Sequence, residues 1–294
     1  MLTSPVEAKE NAMELDRRRL MSLAATGGLG MMLPGLSANA AATSSTGFIQ
    51  HFSGQGAKVL DPLPLITGVG FNGGLRYDDT RPSYPDAASI CVQPACRIED
   101  GGKSTEPGVL ALFHIMVLNL PAGAGPGDAL GQLFGYLVDN MEIDPDKLVF
   151  VSTEVFERYF NAEPVFQKGR FVKRDLAEAQ AAGDGSGFFA PAGHPDTKGF
   201  ATVSIHYPSG EGTPGELSYP LPGYLEIGEI SLAEPSSGGG GGVGGGLGLE
   251  RLAMATGAAA PTFSESRVSL FEMVGQEASK SGAEFPIGLE AFAE

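Results

Sequence analysis

Two short motifs, each with an arginine near a carboxylate, carry the clearest chemistry in this sequence. CRIED places Arg97 and Glu99 after an extended segment, and GLGLER places Arg251 at the start of an apolar helical run. An arginine on a rigid element can bind a phosphate or a carboxylate through two parallel hydrogen bonds. The glycines of the second motif, Gly246 and Gly248, let a ligand lie directly against the backbone. Together the motifs predict a site for an anionic ligand, although either alone is a weak signal.

Both motifs also have a structural interpretation. The two arginines can instead form ion pairs with Glu99, Glu250 or other carboxylates, and the sequence does not choose between the two roles. The run GGGGGVGGG, whose last glycine is the first residue of GLGLER, has the composition of an expanded linker, so residues 237–246 are expected to form a flexible segment rather than a phosphate cradle.

The N-terminal residues 1–42 are predicted to be an export signal of the twin-arginine type. The charged sequence DRRR at 16–19 precedes an uncharged, mildly apolar stretch, and ANA at 38–40 fits a cleavage site. The apolar stretch is shorter than the roughly 20 residues that a membrane span needs, so an anchor or a buried helix is the less favoured alternative. We therefore expect an exported, periplasmic or extracellular protein in which residues 43–294 form a single domain.

The composition argues against several kinds of partner. The formal net charge of −16 predicts an acidic surface, which repels nucleic acids. The histidines are scattered singly, so we expect no metal site, which needs three or four converging ligands. Cys91 and Cys96 can close a small disulfide in an oxidising compartment, but Pro94 and an extended backbone can also hold them apart, so this pairing stays open. The oligomeric state is not indicated.

The hydrophobic pattern predicts an α+β fold with a mainly antiparallel sheet flanked by helices. The predicted strands are residues 109–120, 147–155, 201–207 and 224–232, with an extended segment at 58–65. The predicted helices are residues 48–52, 128–142, 156–182 and 249–255, and the predicted loops are 66–89 and 183–199. The second helix is amphipathic and is expected to pack on the sheet through Leu130, Leu133, Phe134, Leu137 and Met141.

Several segments, taken in chain order, resemble the catalytic domain of alanyl-tRNA synthetases, which belong to the class II aminoacyl-tRNA synthetases. The similar segments are FIQHFSGQGAKVLDPLPLI, VQPACRIED, FHIMVLNLPAG, MEIDPDKLVFVSTEV, TVSIHYPSGEG, YLEIGEISL and GLGLERLAMATG. CRIED and GLGLER stand where this class has its second and third motifs. The resemblance covers about residues 48–275 and implies a class II synthetase-like core that binds ATP and magnesium and forms an acyl-adenylate.

The resemblance also implies roles for individual residues. Arg97 would stabilise the α-phosphate, Arg251 would hold the γ-phosphate, and Glu99 would position the adenine or a magnesium ion. The remaining nucleotide-binding candidates are Phe113, His114, Gly246, Gly248 and Glu250, and the substrate-pocket candidates are Ser204, His206, Glu226 and Glu229. For His114, and less strongly for His206, a hydrogen-bonded position in the core is favoured over a ligand contact.

The amino-acid pocket departs from the family pattern. The family's aspartate for the ammonium of alanine is replaced by Gly244 or a neighbour, and Ser204 stands where glutamate is usual. Gly228 and Glu229 replace an aromatic-asparagine pair, and FHI at 113–115 replaces an aromatic-aromatic-glutamate sequence. The resemblance therefore implies retained phosphate-binding arginines and an altered substrate pocket.

Two functions stay open at this stage. The first is ATP-dependent adenylation of a small carboxylic or amino acid. Charging of tRNA is not expected, because the sequence has no recognisable tRNA-recognition or editing domain and no basic patch. The second is an exported, non-catalytic module that binds a small molecule or a partner, which export favours because no ATP pool is maintained outside the cytoplasm.

Overall fold

The structure is a computed structural model, and part of the chain is described. The described residues are 38–67, 70–71, 86–106, 108–121, 123–162, 169–190, 199–209, 217–232, 243–257 and 261–281. Most of the predicted export signal, residues 1–37, lies outside them, and its last residues belong to the first described helix. Within the described ranges, no helix combines the length and apolar character needed to cross a membrane.

Helices and short strands alternate irregularly along the chain. The helices are α1 (Ala38–Gly54), α2 (Pro126–Gly135), α3 (Glu154–Ala162), α4 (Leu176–Ala182), α5 (Leu249–Ala255) and α6 (Phe263–Ser281). The strands are β1 (Lys58–Val59), β2 (Ile66–Thr67), β3 (Gly70–Phe71), β4 (Ser89–Ala95), β5 (Phe113–Asn119), β6 (Val149–Ser152), β7 (Arg170–Lys173), β8 (Phe188–Phe189), β9 (Phe200–Pro208), β10 (Tyr224–Leu232) and β11 (Val243–Gly248).

A nine-stranded sheet organises the fold. Its order is β1–β4–β5–β11–β10–β9–β6–β7, with β8 added to β9, while β2 and β3 form a separate hairpin. Only the β1–β4 and β6–β7 pairs are parallel, and the other neighbours are antiparallel. The α+β class and the mostly antiparallel sheet are therefore confirmed.

One face of the sheet is buried under helices α1, α2, α3 and α5. The predicted amphipathic helix is confirmed in α2, which continues as a wider helical turn through Tyr136–Asn140. Its buried side chains pack on strands β10 and β11, and Met141 packs against the same core while remaining partly exposed. The members from this helical segment are Leu130, Leu133, Phe134 and Leu137. Helix α5 confirms the prediction for residues 249–255.

The apolar run at 109–120 is only partly a strand. Regular pairing begins at Phe113, and the preceding residues pack against helix α6 instead. The N–H of Ala111 donates to the Ser266 hydroxyl on that helix, at 2.8 Å. The predicted start of the strand was wrong because burial against a helix and burial in a sheet give the same apolar sequence.

The predicted helix at 156–182 is wrong. The chain instead forms α3, the strand β7 and α4, with residues 163–168 outside the described part. Strand β7 pairs in parallel with β6, which itself spans less than the predicted 147–155 because α3 begins at Glu154. The charged composition of the segment favours helix locally, but pairing with a buried neighbouring strand overrides this propensity.

Smaller differences concern the first helix and strand and the two predicted loops. The helix predicted at 48–52 is the end of α1 and stops at Gly54 as expected, whereas the extended segment 58–65 contributes only β1. The predicted loop at 66–89 contains the hairpin β2–β3, and residues 68–69 and 72–85 lie outside the described part. The loop predicted at 183–199 contains the short strand β8, and its residues 191–198 lie outside the described part.

Cys91 and Cys96 are buried thiols rather than a disulfide. Cys91 packs with residues of β4 and β5, whereas Cys96 packs with a different cluster beneath helix α6. Positions an odd number apart on an extended chain point to opposite sides, which separates the two sulfur atoms.

Candidate functional site

The sheet face opposite helix α2 carries the predicted substrate-pocket residues, and we call it the open face. Ser204 and His206 lie two positions apart on β9, so their side chains share a face. Their direct partners on β10 are Glu229 and Glu226, respectively. Directly opposed residues of an antiparallel pair also share a face. The sequence-predicted pocket residues therefore lie together.

An irregularity in β10 makes this grouping possible. Glu226 and Glu229 are three positions apart, which in a regular strand would place them on opposite faces. The register shifts between Glu226 and Gly228, so Ile227 is an extra residue in the strand. A β-bulge of this kind re-aims the side chains that follow it. Ile227 itself is fully buried in the core under the helices.

The glycine-rich strand β11 forms the middle of the open face. Across the sheet, Ser204, Glu229, Gly246, Val117 and Cys91 lie in one row of directly paired residues. Polar side chains thus stand on one side of the glycine strand and an apolar cluster on the other. The prediction of a flexible segment at 237–246 is wrong from residue 243 onward, and residues 233–242 lie outside the described part.

The side of β11 that faces helix α2 explains why residue 245 is a glycine. A Cβ on Gly245 would lie 2.6 Å from Leu133 Cδ1 and 3.0 Å from both the carbonyl oxygen of Glu229 and Ile230 Cγ1. Helix α2 therefore sits close to the β11 backbone, an approach that a side chain would prevent. β11 is a packed, central strand.

A tight loop at residues 183–187 forms a wall beside the acidic side chains. Its glycines at 183, 185 and 187 all have positive φ, a conformation that suits glycine. The loop is fixed to β9 because the Thr202 hydroxyl donates to the carbonyl of Gly185 and the Thr202 N–H donates to the carbonyl of Gly187. A Cβ on Gly185 would lie 2.5 Å from Glu229 Oε2, so this backbone lies directly against the carboxyl group.

Two ionisable side chains of the open face, Glu229 and His206, have shifted pKa values. Burial, reinforced by the neighbouring Glu226 and Asp184 carboxylates, raises the pKa of Glu229 to about 8, while the positive charge of Arg97 opposes the shift. Burial lowers the pKa of His206, which is 7% exposed. Both groups are therefore mainly uncharged near neutral pH.

Two nitrogen atoms of the Arg251 guanidinium form hydrogen bonds within the protein. Its Nε donates to the carbonyl of Gly108 at 2.9 Å, and its Nη1 donates to the carbonyl of Glu226 at 3.2 Å. Nη1 also lies 3.5 Å from Glu226 Oε2. The ion-pair partner is therefore Glu226 rather than Glu250, and the side chain joins helix α5 to β10 and to the segment before β5.

Arg97 lies at the other side of the glycine strand, directly after β4. Its guanidinium carbon is 5.3 Å from the centroid of the Phe113 ring, within the range of a cation–π contact. Its charge reaches Glu229, so Arg97 belongs to the same electrostatic environment as the acidic residues. Glu99 lies on the 3-10 turn Ile98–Lys103, and its side chain is outside the described part.

His114 and Glu250, both predicted to bind nucleotide, bind each other. The His114 N–H donates to Glu250 Oε2 at 2.9 Å, and His114 Nδ1 is 2.8 Å from Glu250 Oε1. The pairing of β11 with β5 ends at Gly248 and Ile115. The Glu250 carboxylate therefore accepts the N–H of His114, the next residue of β5, in place of a carbonyl group of β11. Glu250 is 2% exposed, and this arrangement favours a structural role.

The open face also includes residues that sequence reasoning missed. Arg174 Nη1 donates to Asp184 Oδ1 at 2.8 Å, and its guanidinium lies 3.9 Å from the Tyr219 ring centroid. Tyr219 donates to Asp184 Oδ2 at 2.9 Å, and the Ser186 N–H donates to Oδ1. No local pattern marks these residues, because they come from loops far apart in the sequence.

Comparison with known proteins adds no assignment: no family model matches the chain, and no curated protein is significantly similar to it. Among the described residues, no group of three or more His, Cys, Asp and Glu side chains has an arrangement that could hold a metal ion. Any assignment of function therefore depends on the chemistry of the open face.

Proposed function

We propose that the open face binds a small amino-acid-like molecule, on a core that resembles the class II synthetases. The observation that carries this proposal is the placement of opposite charges around a strand of glycines. The carboxylates of Glu226 and Asp184 lie on one side of β11 together with the mainly uncharged Glu229, and Arg97 lies on the other side while still acting on Glu229. A zwitterion with an ammonium and a carboxylate fits this arrangement.

The acidic side would receive the ammonium group. Glu226 is half-buried, with 31% of its side chain exposed, and its Oε2 lies 3.5 Å from Arg251 Nη1, so an incoming ammonium would share this partly shielded carboxylate with Arg251. A hydrogen bond to a charged group in such a setting contributes roughly 1.5–3 kcal/mol. Arg97, already positioned by Phe113, would bind the carboxylate through its planar guanidinium.

ATP-dependent activation of the same ligand is the second candidate. It is favoured by the position of the Arg97 guanidinium over the Phe113 ring. There the cation lies beside the apolar cluster that contains Ile115 and Val117, and a nucleotide would lie against this cluster. It ranks second because Arg251 donates to two backbone carbonyls and because Glu250 and His114 occupy each other. Nucleotide binding would need ATP and magnesium to compete with these contacts.

Calorimetric titration with L-alanine tests the first candidate, with propionate and ethylamine as analogues that lack the ammonium or the carboxylate. We expect alanine to bind at least tenfold more tightly than either analogue. Glu226→Gln and Arg97→Gln should each weaken binding about tenfold or more, as expected for one lost charge-assisted hydrogen bond. Glu157→Gln and Lys173→Gln make the same charge changes in an exposed ion pair and serve as controls.

The outcomes separate the candidates. Equal affinities for alanine and its analogues, or unchanged binding in both open-face variants, would contradict the amino-acid proposal. For the second candidate, the same protein is titrated with ATP and magnesium and assayed for alanine-dependent exchange of pyrophosphate into ATP. Exchange above the background of Arg97→Gln would favour the adenylating enzyme over the binding module.

We also propose that the protein is exported by the twin-arginine route. The basis is the sequence of residues 16–40 alone, and a binding module that needs no ATP is compatible with a periplasmic or extracellular location.

A further inference from the structure

The carboxyl group of Glu229 forms no hydrogen bond and no ion pair with any of the described residues. The residue is half-buried, so the group is partly shielded from water but not sealed off from it. A desolvated carboxylate without a donor is unfavourable, because it gives up the hydrogen bonds that it makes in water. An unsatisfied polar group of this kind indicates either a protonated acid or a contact that a ligand completes.

The loop that touches this carboxyl has its donors committed elsewhere. The backbone of Gly185 lies directly against the group, since an added Cβ would be 2.5 Å from Glu229 Oε2. The Gly185 N–H, however, donates to the carbonyl of Phe188 at 2.9 Å. The Ser186 N–H donates to Asp184 Oδ1 at 3.0 Å. These two backbone N–H groups are therefore not available to Glu229.

The cross-strand neighbours of Glu229 do not supply a donor either. Ser204 is its direct partner on β9. The Ser204 hydroxyl oxygen lies 2.9 Å from Ser186 Oγ and 2.8 Å from His206 Nε2, so this group is engaged with two other partners. Gly246, the partner on β11, has no side chain. The hydrogen-bonding capacity of the carboxyl is thus left for a molecule that enters the open face.

The charges around this carboxyl oppose its ionisation. Glu226 on the same strand and Asp184 on the loop disfavour a further negative charge, whereas the positive charge of Arg97 favours it. On β9, His206 is mainly uncharged because burial lowers its pKa, and Arg251 on α5 is paired with Glu226. Burial together with the two carboxylates raises the pKa of the group to about 8. The free protein therefore keeps a proton on it near neutral pH.

We propose that Glu229 selects a cationic amine: its carboxyl is protonated in the free protein, releases that proton to solvent when the ligand's ammonium binds, and then accepts an N–H from the ammonium. The O–H bond of the acid is the only covalent bond that breaks, and the ligand keeps its three N–H bonds. The arriving ammonium offsets the neighbouring carboxylates and supplies the missing donor, so ionisation becomes favourable. This inference rests on the proposed function for its ligand, but the protonated state of the free protein does not.

The affinity for an amine should follow the ionisation of Glu229. A group with a pKa of about 8 is about nine-tenths protonated at pH 7, so one bound ammonium should displace about 0.9 proton. A lower pH stabilises the protonated free protein, and the affinity should therefore fall about ninefold from pH 7 to pH 6. A ligand with a hydroxyl in place of the ammonium can accept a hydrogen bond from the acid and should displace no proton.

The protonated state is tested without any ligand. Carbon-13 spectra of the full chain, labelled at the glutamate carboxyl carbons, are recorded from about pH 4 to pH 9. The resonance that is missing from Glu229→Gln belongs to Glu229, and we expect it to titrate with a midpoint near 8. Glu157→Gln identifies the resonance of an exposed glutamate as a reference. A Glu229 resonance that completes its titration below pH 6 would overturn the inference.

Proton release is tested by calorimetric titration with L-alanine in phosphate and Tris buffers, whose heats of ionisation differ. The wild type and Glu157→Gln should release about 0.9 proton per alanine at pH 7 and lose about ninefold in affinity at pH 6. Glu229→Gln has no acidic proton, so its release should be below about 0.2 proton and its affinity should change less than about twofold. L-Lactate, which has a hydroxyl in place of the ammonium, should release no proton from the wild type.

The outcomes separate this inference from the proposed function. Alanine binding without proton release would contradict the role of Glu229 and leave the proposed function standing. Undiminished release in Glu229→Gln would do the same, provided that thermal unfolding shows the variant to be folded. Failure of alanine to bind at both pH 7 and pH 8 would contradict the proposed function and, with it, the ligand role, while the titration of the free carboxyl would still decide its protonation.

Discussion

Replacement of Gly245 by alanine decides whether the glycine-rich segment is a linker or a structural strand. In a flexible linker, alanine would be tolerated and would slightly stabilise the protein by restricting the unfolded chain. In β11, the new methyl group would meet the core. The expected effects therefore have opposite signs.

The contacts around Gly245 set the magnitude. The added Cβ would lie 2.6 Å from Leu133 Cδ1, and 3.0 Å from both Ile230 Cγ1 and the carbonyl oxygen of Glu229. Leu133 and Ile230 are fully buried, so they have little room to move away. Inserting a methyl group into a packed core costs about 1–3 kcal/mol. We expect Gly245→Ala to lower the free energy of unfolding by this amount.

Gly131→Ala is the matched control. It makes the same chemical change on helix α2, where nothing lies within 4 Å of the added Cβ, and alanine gains up to about 1 kcal/mol over glycine in a helix. Both variants are compared with the wild type by urea denaturation monitored by circular dichroism. A Gly245→Ala variant as stable as the wild type would refute the assignment of β11 as a packed strand.

The remaining predictions concern charge. Because the pKa of Glu229 rises from 4.5 to about 8 on folding, the folded state binds the extra proton, and the free energy of unfolding should fall as the pH rises across this window. Glu229→Gln should flatten that slope in denaturation curves at pH 5 to 8, and an unchanged slope would contradict the burial of this carboxyl. Arg251→Ala should lower the free energy of unfolding by about 1–2 kcal/mol, since two backbone carbonyls lose their donor; a loss of ligand affinity without a loss of stability would instead assign Arg251 to the ligand. Replacing Arg17 and Arg18 by lysine should leave the uncleaved protein in the cytoplasm, which immunoblotting of cell fractions checks; undiminished export would exclude the twin-arginine route.

Local sequence patterns were sufficient for much of the fold. The helical spacing of apolar residues predicts α2, and the β-branched, alternating runs predict β9 and β10. These elements could be predicted because one face of each is buried against a uniform apolar core, which leaves a periodic imprint on the sequence. Periodic patterns do not group Ser204, His206, Glu226 and Glu229 into one site. That prediction depended on the family resemblance.

Only the tertiary structure decided what the glycines and the open face do. Val243–Gly248 has the composition of a linker, and its order comes from pairing with β5 and β10 and from the close approach of α2. The bulge at Ile227, which brings Glu226 and Glu229 to one face, leaves no sequence signature. The bonds of Asp184 to Arg174 and Tyr219 likewise join segments that meet only in the folded protein. Long-range pairing is set by the whole packing arrangement, so no local pattern records it.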